Sequence, residues 1–332
     1  MPTNRQVLFA SRPTGWVSED NFRVVESPLP SPAQGQVLVR NHWLSLDPYM
    51  RGRMDAAKSY AKGADLGEVM VGGTVGEVIE SKSPKFKTGD MVAAALGWQQ
   101  FGVSDAAALT KIDTSIAPAS YYLGILGMPG VTAWMGLLEI AQPKEGETVV
   151  VSAASGAVGG AVGQIAKIKG CRAVGIAGGK AKCDYVTGEL GFDACVDYKA
   201  GRLDANLQIA APAGIDVCFE NVGGEIFDTV LRRLNPFSRV ALCGLVSQYN
   251  LTEPYAMKNL RYILVNRVRM QGFIVSDRFD LWPRAKSDLA GWLKAGKLKC
   301  RESIAQGLEQ APKAFVGMLK GENFGKQLVK LA

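Results

Sequence analysis

The stretch from Thr148 to Lys169, TVVVSAASGAVGGAVGQIAKIK, carries the residues whose types and spacing point most directly to chemistry. Thr148 to Val151 are suited to a buried strand, and Val158, Val162, Ile165 and Ile168 recur at helical spacing. Between them lie the small residues Ala153, Gly156 and Gly159. Strand, glycine turn and helix open a βαβ unit. The free amides and the dipole at such a helix start suit an anion such as a pyrophosphate. Gly156 and Gly159 leave no Cβ in the way of a phosphate or of close helix–strand packing. The usual first glycine is replaced by Ala153, so this pattern alone also admits a tight turn in some other α/β domain.

The next strand, Cys171 to Ala177, decides between the two. A dinucleotide without an extra phosphate calls for Asp or Glu near the end of this strand, bonded to the ribose hydroxyls. Here the strand runs into Ala177-Gly178-Gly179-Lys180-Ala181-Lys182. An acid would repel a 2′-phosphate, whereas Lys180 and Lys182 would pair with it, so the expected cofactor is NADP(H).

Ligands of doubly wound sheets bind beyond the carboxyl ends of the strands. That rule selects Asn221 with Gly223 and Gly224, then the segment from Gly244 to Asn250, then Phe273 to Val275 near the end of a further expected strand, Val268–Val275. Tyr249 is the side chain there able to hand over a proton; otherwise it is a loop tyrosine held by packing. The single histidine, His42, lies on an expected strand and suits a structural role. Without clustered Cys and His no metal site is expected, and no second histidine could serve Ser152 or Ser155 as a triad base. What remains is hydride transfer to a substrate that needs little activation. A carbon–carbon double bond conjugated to a carbonyl fits, because the carbonyl draws off charge as hydride arrives.

These residues must be positioned by 332 residues, a length natural for two domains. From Arg5 to about Ile112 short strands, among them Gln36–Asn41, Gly73–Ile79 and Met91–Ala95, alternate with proline and glycine turns, as in a small barrel-like domain. From about Ala119 to Leu298 strands alternate with helical stretches, which implies a parallel sheet wound on both faces. The tail from Lys299 to Lys330 reads as strand, helix, strand and is expected to fold back on the first domain. The expected division is therefore residues 1–118 completed by 299–332, and 119–298. A charge-free run from Thr114 to Leu138 is broken by Pro118, Pro129 and four glycines, which argues against a membrane span.

The formal charge of +7 is spread along the chain and suits an anionic cofactor; no basic–aromatic repeat points to nucleic acid. Six cysteines without a C-x-x-C pair, and no signal-like N-terminus, point to a reducing, cytoplasmic setting.

Several strings, in order and nearly end to end, resemble the zinc-independent medium-chain dehydrogenase/reductases of the prostaglandin reductase (leukotriene B4 12-hydroxydehydrogenase) group, with its plant double-bond reductases and bacterial curcumin reductase-like enzymes. They are LSLDPYMRGRM from Leu44, LGILGMPGVTAW from Leu123, SAASGAVGGAVGQIAKIKGC from Ser152, ENVGG from Glu220, CGLVSQYN from Cys243, QGFIV from Gln271 and NFGKQLV from Asn323. The resemblance implies a GroES-like β-barrel domain plus a Rossmann domain, a homodimer, and NADPH-dependent reduction of α,β-unsaturated ketones or aldehydes. In that likeness Gly156, Val158 and Gly159 hold the pyrophosphate, and Lys182 and Tyr198 flank the 2′-phosphate. Asn221, Phe273, Val275 and Asn323 line the nicotinamide half, Tyr49 faces the substrate, and Tyr249 binds the nicotinamide ribose or substrate oxygen and assists protonation, with water as the other proton source. Trp134 stands where many relatives carry tyrosine, which leaves the interdomain region's shape open. Other activities open to such a chain are quinone reduction, secondary-alcohol oxidation, or NADPH binding by a stress or structural protein with little turnover.

Overall fold

Frequent proline and glycine breaks keep the N-terminal strands short, and a computed structural model, which describes residues 3–331, assembles them into antiparallel sheets. In chain order they are β1 (Thr3–Phe9), β2 (Phe22–Pro28), β3 (Gln36–Ser45), β4 (Thr74–Ser81), β5 (Met91–Ala94), β6 (Phe101–Asp105) and β7 (Thr110–Lys111), with α1 (Tyr49–Arg53) after β3. β1 and β2 pair with each other. β3 is the spine of a seven-stranded sheet, paired with β4 on one side and with β6 on the other. Alternation along these strands turns Val37, Val39, Val78 and Val92 into one buried cluster.

The parallel unit begins with α2 (Met128–Trp134), which continues as π-helical turns over Met135–Ala141. It then alternates β8 (Thr148–Ser152), α3 (Ala157–Ile168), β9 (Arg172–Ala177), α4 (Lys180–Gly188), β10 (Ala194–Asp197), α5 (Leu203–Ala210), β11 (Ile215–Glu220), α6 (Gly224–Leu231), β12 (Leu234–Leu242), α7 (Arg261–Val265), β13 (Arg269–Gly272) and α8 (Trp282–Lys294). The strand order is β10-β9-β8-β11-β12-β13, all parallel, so the winding reverses between β8 and β11. Every residue of β8 is buried, as a central strand covered by helices on both faces requires.

The tail returns as β14 (Glu302–Gln306), α9 (Ala311–Leu319) and β15 (Lys326–Lys330). β15 pairs with β3, and Phe315 of α9 meets Trp98 edge-on at 5.6 Å while Phe22 stacks on Trp98 at 5.0 Å. The tail thus supplies both a strand and core side chains to the antiparallel unit.

Two compact units result: the chain up to Gly124 with Glu302–Asn323 and the residues from Gln327, and Ile125–Arg301 with Phe324–Lys326. The expected boundaries at 118 and 298 shift, because the 3₁₀ turn Ala119–Leu123 packs on β3 and β4, and the chain stays with the parallel unit through Arg301. Residues 324–326, assigned from the sequence to the first domain, belong to the second. The expected strand Val268–Val275 is shorter than its apolar pattern: Phe273, Ile274 and Val275 lie past the end of β13.

The charge-free run is divided between that 3₁₀ turn, α2 and its π-helical extension, and among the described residues no helix is long and apolar enough to cross a membrane. Trp134 lies inside the parallel unit, fully buried, its indole Nε1 donating to Asp288 Oδ2 at 2.8 Å on α8.

Candidate functional site

The glycine turn leaves β8 at Ser152. Ala153 takes φ +52°, the left-handed conformation its missing glycine would adopt freely, at a cost of about 1 kcal/mol for an alanine. That backbone places Ala153 O to accept from Gly156 N at 2.9 Å and so closes the turn. A Cβ on Gly159 would lie 2.3 Å from Ala153 O, so close packing of α3 on the turn requires glycine there. Val158, half-buried, is the second residue of α3. Gly156 forms an isolated parallel bridge with Gly325, whose N–H donates to Ser155 O at 3.0 Å. Gly325 has φ +67°, and a Cβ on it would meet Arg301 O at 2.0 Å. The strap Phe324–Lys326 is thus clamped beside the glycine turn, a neighbour no local pattern could reveal.

At the end of β9, Gly179 has φ +98° and donates to Asp197 Oδ1 at 2.8 Å. Tyr198 presses on Gly178, where a Cβ would stand 2.9 Å from the tyrosine hydroxyl. The two lysines differ in setting. Lys180 is exposed and pairs with Asp184 at 2.6 Å on its own helix. Lys182 is half-buried, its ammonium 5.7 Å over the Phe324 ring, and burial followed by the Lys199 charge lowers its pKa. Lys182 and the Tyr198 phenol, beside Gly178 and Gly179, form a corner suited to an added phosphate.

Between β8 and β11 the strand ends are tied by polar side chains. Ser152 Oγ donates to Glu220 Oε1 at 3.0 Å and accepts from Asn221 N at 2.8 Å, while Asn221 Nδ2 donates to Ser152 O at 2.8 Å. Glu220 is fully buried and escaped the sequence-based selection. Its Oε1 also accepts from the amides of Val222 and Gly223, each at 2.6 Å. Burial outweighs these bonds and pushes its pKa up to about 7. The segment after β12 carries Tyr249, half-buried, whose hydroxyl accepts from Leu245 N at 3.3 Å. Phe273 packs edge-on against Phe219 at 6.1 Å, and both rings crowd Gly136, where a Cβ would come within 2.4 Å of Phe273. The π-helical turn that bears Gly136 therefore makes room for Phe273. Val275 O accepts from Trp282 Nε1 at 3.1 Å.

Gly156, Val158, Gly159, Lys182, Tyr198, Asn221, Tyr249, Phe273 and Val275 all lie in the parallel unit, whereas Tyr49 and Asn323 lie in the antiparallel one. Tyr49 opens α1; Arg53 lies 5.6 Å over its ring and 5.1 Å over that of Tyr60. Burial, then the Asp47 charge, raises the Tyr49 pKa above its ordinary value. Asn323 immediately precedes the strap. His42 sits in β3 with Nε2 3.8 Å from Glu77 Oε2, and burial followed by Arg40 lowers its pKa, which favours the neutral ring.

A reversing parallel sheet with a glycine turn, a basic corner one strand over and a proton-bearing loop define a nicotinamide-dinucleotide oxidoreductase. Residues 5–112 match the family described as the N-terminal domain of oxidoreductase, and residues 157–290 the family described as zinc-binding dehydrogenase. The chain is 48% identical to NADPH-dependent curcumin reductase of Escherichia coli (strain K12), with 99% of this chain and 97% of that protein covered. It is 43% identical to 2-alkenal reductase (NADP(+)-dependent) of Nicotiana tabacum, with 99% and 98% covered. The crystal structure of CurA from Vibrio vulnificus in complex with NADPH superposes with a TM-score of 0.95 at 48% identity, covering 99% of each chain. The chain belongs to the medium-chain dehydrogenase/reductase family, in the group of the prostaglandin, alkenal and curcumin reductases.

Zinc does not fit the residues present: among those described, no group of three or more His, Cys, Asp or Glu is placed to hold a metal ion. NADPH does fit, through the glycine turn, where a Cβ on Gly159 would collide with Ala153 O, and through the Lys182–Tyr198 corner.

Folding raises the Glu220 pKa from its ordinary 4.5 to about 7. Its contribution to stability is therefore fully present below the lower value and lost as pH rises through the upper one. Thermal melts of the wild type between about pH 4.5 and pH 8 should lose midpoint temperature relative to Glu220→Gln, whose curve lacks this component. Parallel curves would contradict the assignment of that titration to Glu220.

Proposed function

We propose that this chain is an NADPH-dependent reductase of the carbon–carbon double bond of α,β-unsaturated ketones and aldehydes. The observation that carries the proposal is the gathering, along the carboxyl edge of one parallel sheet, of the glycine turn, the Lys182–Tyr198 corner, Asn221 and the Tyr249 loop. The names of the curcumin and alkenal reductases support the same reading.

When bound, NADPH supplies the hydride that adds to the β-carbon of the enone. The amides after Ser152 and the start of α3 hold the pyrophosphate beside Gly156, Val158 and Gly159. Lys182 and Tyr198 receive the 2′-phosphate. Asn221, Phe273, Val275 and Asn323 bound the nicotinamide half, and Tyr49 faces the substrate. Negative charge develops on the carbonyl oxygen as an enolate forms, and a phenol held in place is a suitable donor to it. Tyr249 fills that role, either protonating the enolate or ordering the water that does. The six free thiols support a reducing, cytoplasmic setting.

A homodimer is proposed through the edge strand β13. It is exposed along its length, and Met270 on it and Leu264 and Val265 on α7 present apolar side chains to solvent, Leu264 being 81% exposed.

Lys182→Ala combined with Tyr198→Phe is expected to weaken NADPH binding by about 2 kcal/mol, near thirtyfold, while leaving NADH nearly unchanged. Fluorescence titration with both nucleotides checks this; equal losses would remove the phosphate assignment. NADPH oxidation with an enal, a linear enone, a diarylheptanoid enone, a quinone and a saturated ketone is expected to be confined to the conjugated alkenes. Tyr249→Phe should lower kcat more than cofactor affinity, and an unchanged kcat would take Tyr249 out of the mechanism. Light scattering should give a dimer mass that Leu264→Arg reduces to a monomer; a monomeric wild type would refute the edge-strand pairing.

A further inference from the structure

We infer that Glu220 is a positioning residue for the reduction: its buried carboxyl group holds together the two strand-end turns that carry Asn221 and Tyr249. The inference rests on the proposed assignment of those two side chains to the active site.

Glu220 ends β11 at the point where the sheet reverses, where ligands of such sheets bind. Three donors converge on one of its oxygens: the Ser152 hydroxyl from the neighbouring strand end and the amides of Val222 and Gly223 in its own turn. Convergence of that kind calls for a strong acceptor, and a carboxylate oxygen provides one. Through Ser152 Oγ the network reaches Asn221 N, and the Asn221 carboxamide is bonded back to Ser152 O, so the side chain is held at both ends of its residue.

The second turn hangs on the first. Glu220 O accepts from Cys243 N at 2.9 Å and Gly244 N at 3.1 Å, Asn221 O from Val246 N at 3.1 Å, and Val222 O from Ser247 N at 2.9 Å. Ser247 Oγ adds a bond to Val222 O at 2.6 Å. The same turn supplies the Leu245 amide to the Tyr249 hydroxyl, and Gly244 keeps the space beside that hydroxyl open, since a Cβ there would stand 3.2 Å from it. Displacement of Val222 or Gly223 would therefore move the support of Tyr249.

The surroundings explain why the acid is sensitive. Cys218 on the same strand lies with its sulfur 3.9 Å from Glu220 Oε2, and burial, then Glu220 itself, pushes the Cys243 thiol on the adjoining turn up to about 12. Ser152 is the polar group facing it from β8, and among the described residues no charged side chain is paired with it. Nothing but hydrogen bonds offsets the burial. With its proton exchanging near neutrality, the ionised form accepts the three hydrogen bonds more strongly and fixes the turns locally, even as its desolvation lowers the stability of the whole fold, so turnover gains as pH rises through that range.

The test measures NADPH-linked reduction of 3-nonen-2-one from about pH 5.5 to pH 8.5, with NADPH affinity read by fluorescence, in Glu220→Gln, Glu220→Asp, Ser152→Ala, Asn221→Ala and Tyr249→Phe. Glu220→Gln should lower kcat by about tenfold, the scale of a hydrogen bond to a charged group, with NADPH affinity changed less than about threefold. It should also abolish the rise of kcat through neutral pH, which Glu220→Asp restores in part. Ser152→Ala, which keeps the acid, should lower kcat less and retain the rise. A wild-type kcat and pH profile in Glu220→Gln, or losses that only follow the folded fraction, overturn the inference while leaving the reductase assignment intact if Tyr249→Phe and Asn221→Ala are impaired. An unimpaired pair overturns the active-site assignment and the role of Glu220 with it.

Discussion

A parallel sheet that reverses direction leaves a crevice between two neighbouring strand ends, and something must hold those ends at a fixed spacing while a ligand uses the gap. In this protein the tie is the Ser152–Glu220–Asn221 group, built across β8 and β11 with no cation among the described residues paired with the buried acid. Its hydrogen bonds are individually ordinary. Their concentration on one oxygen makes the arrangement stiff, and the turn after β12 is hung from the same backbone. The glycine turn begins at Ser152 too, so that turn and the Tyr249 loop share one anchor.

The proposed seat of the cofactor's extra phosphate rests on local electrostatics of a modest kind. Lys182 lies over an aromatic ring, where burial and then the Lys199 charge lower its pKa, and an incoming phosphate would relieve that repulsion. Lys180, two residues earlier, already has Asp184 and little to gain. The wrapped tail matters here as well, because Phe324 on the strap provides the ring beneath Lys182 and meets Tyr185 at 5.3 Å. A strap from the far end of the chain thus shapes both the glycine turn and the basic corner.

The glycine turn, the basic corner and the alternation of strands and helices were legible in the sequence because each is set by neighbours a few residues apart: β-branched runs, missing Cβ atoms, helical spacing. The candidate residues after the strands were legible for the same reason, since strand ends can be located from pattern and the binding edge follows from the fold class. Phe273 to Val275 mark the limit of that logic. Their apolar pattern reads as strand, yet the ring of Phe273 finds its partner in Phe219 and in the space above Gly136, and the chain leaves the sheet to reach it.

Sequence by itself determined the class of fold and the phosphorylated cofactor, and it named the residue proposed for proton transfer, since all three are read from short segments. Tertiary structure alone decided that Phe324–Lys326 belong beside the glycine turn and that Lys182, rather than Lys180, is the lysine held over a ring. It also decided that Glu220, one acid among many in the chain, is the buried one at the reversal. These depend on segments brought together from distant parts of the chain, where the cost of burying a charge or of crowding a glycine is set by neighbours that local spacing cannot name.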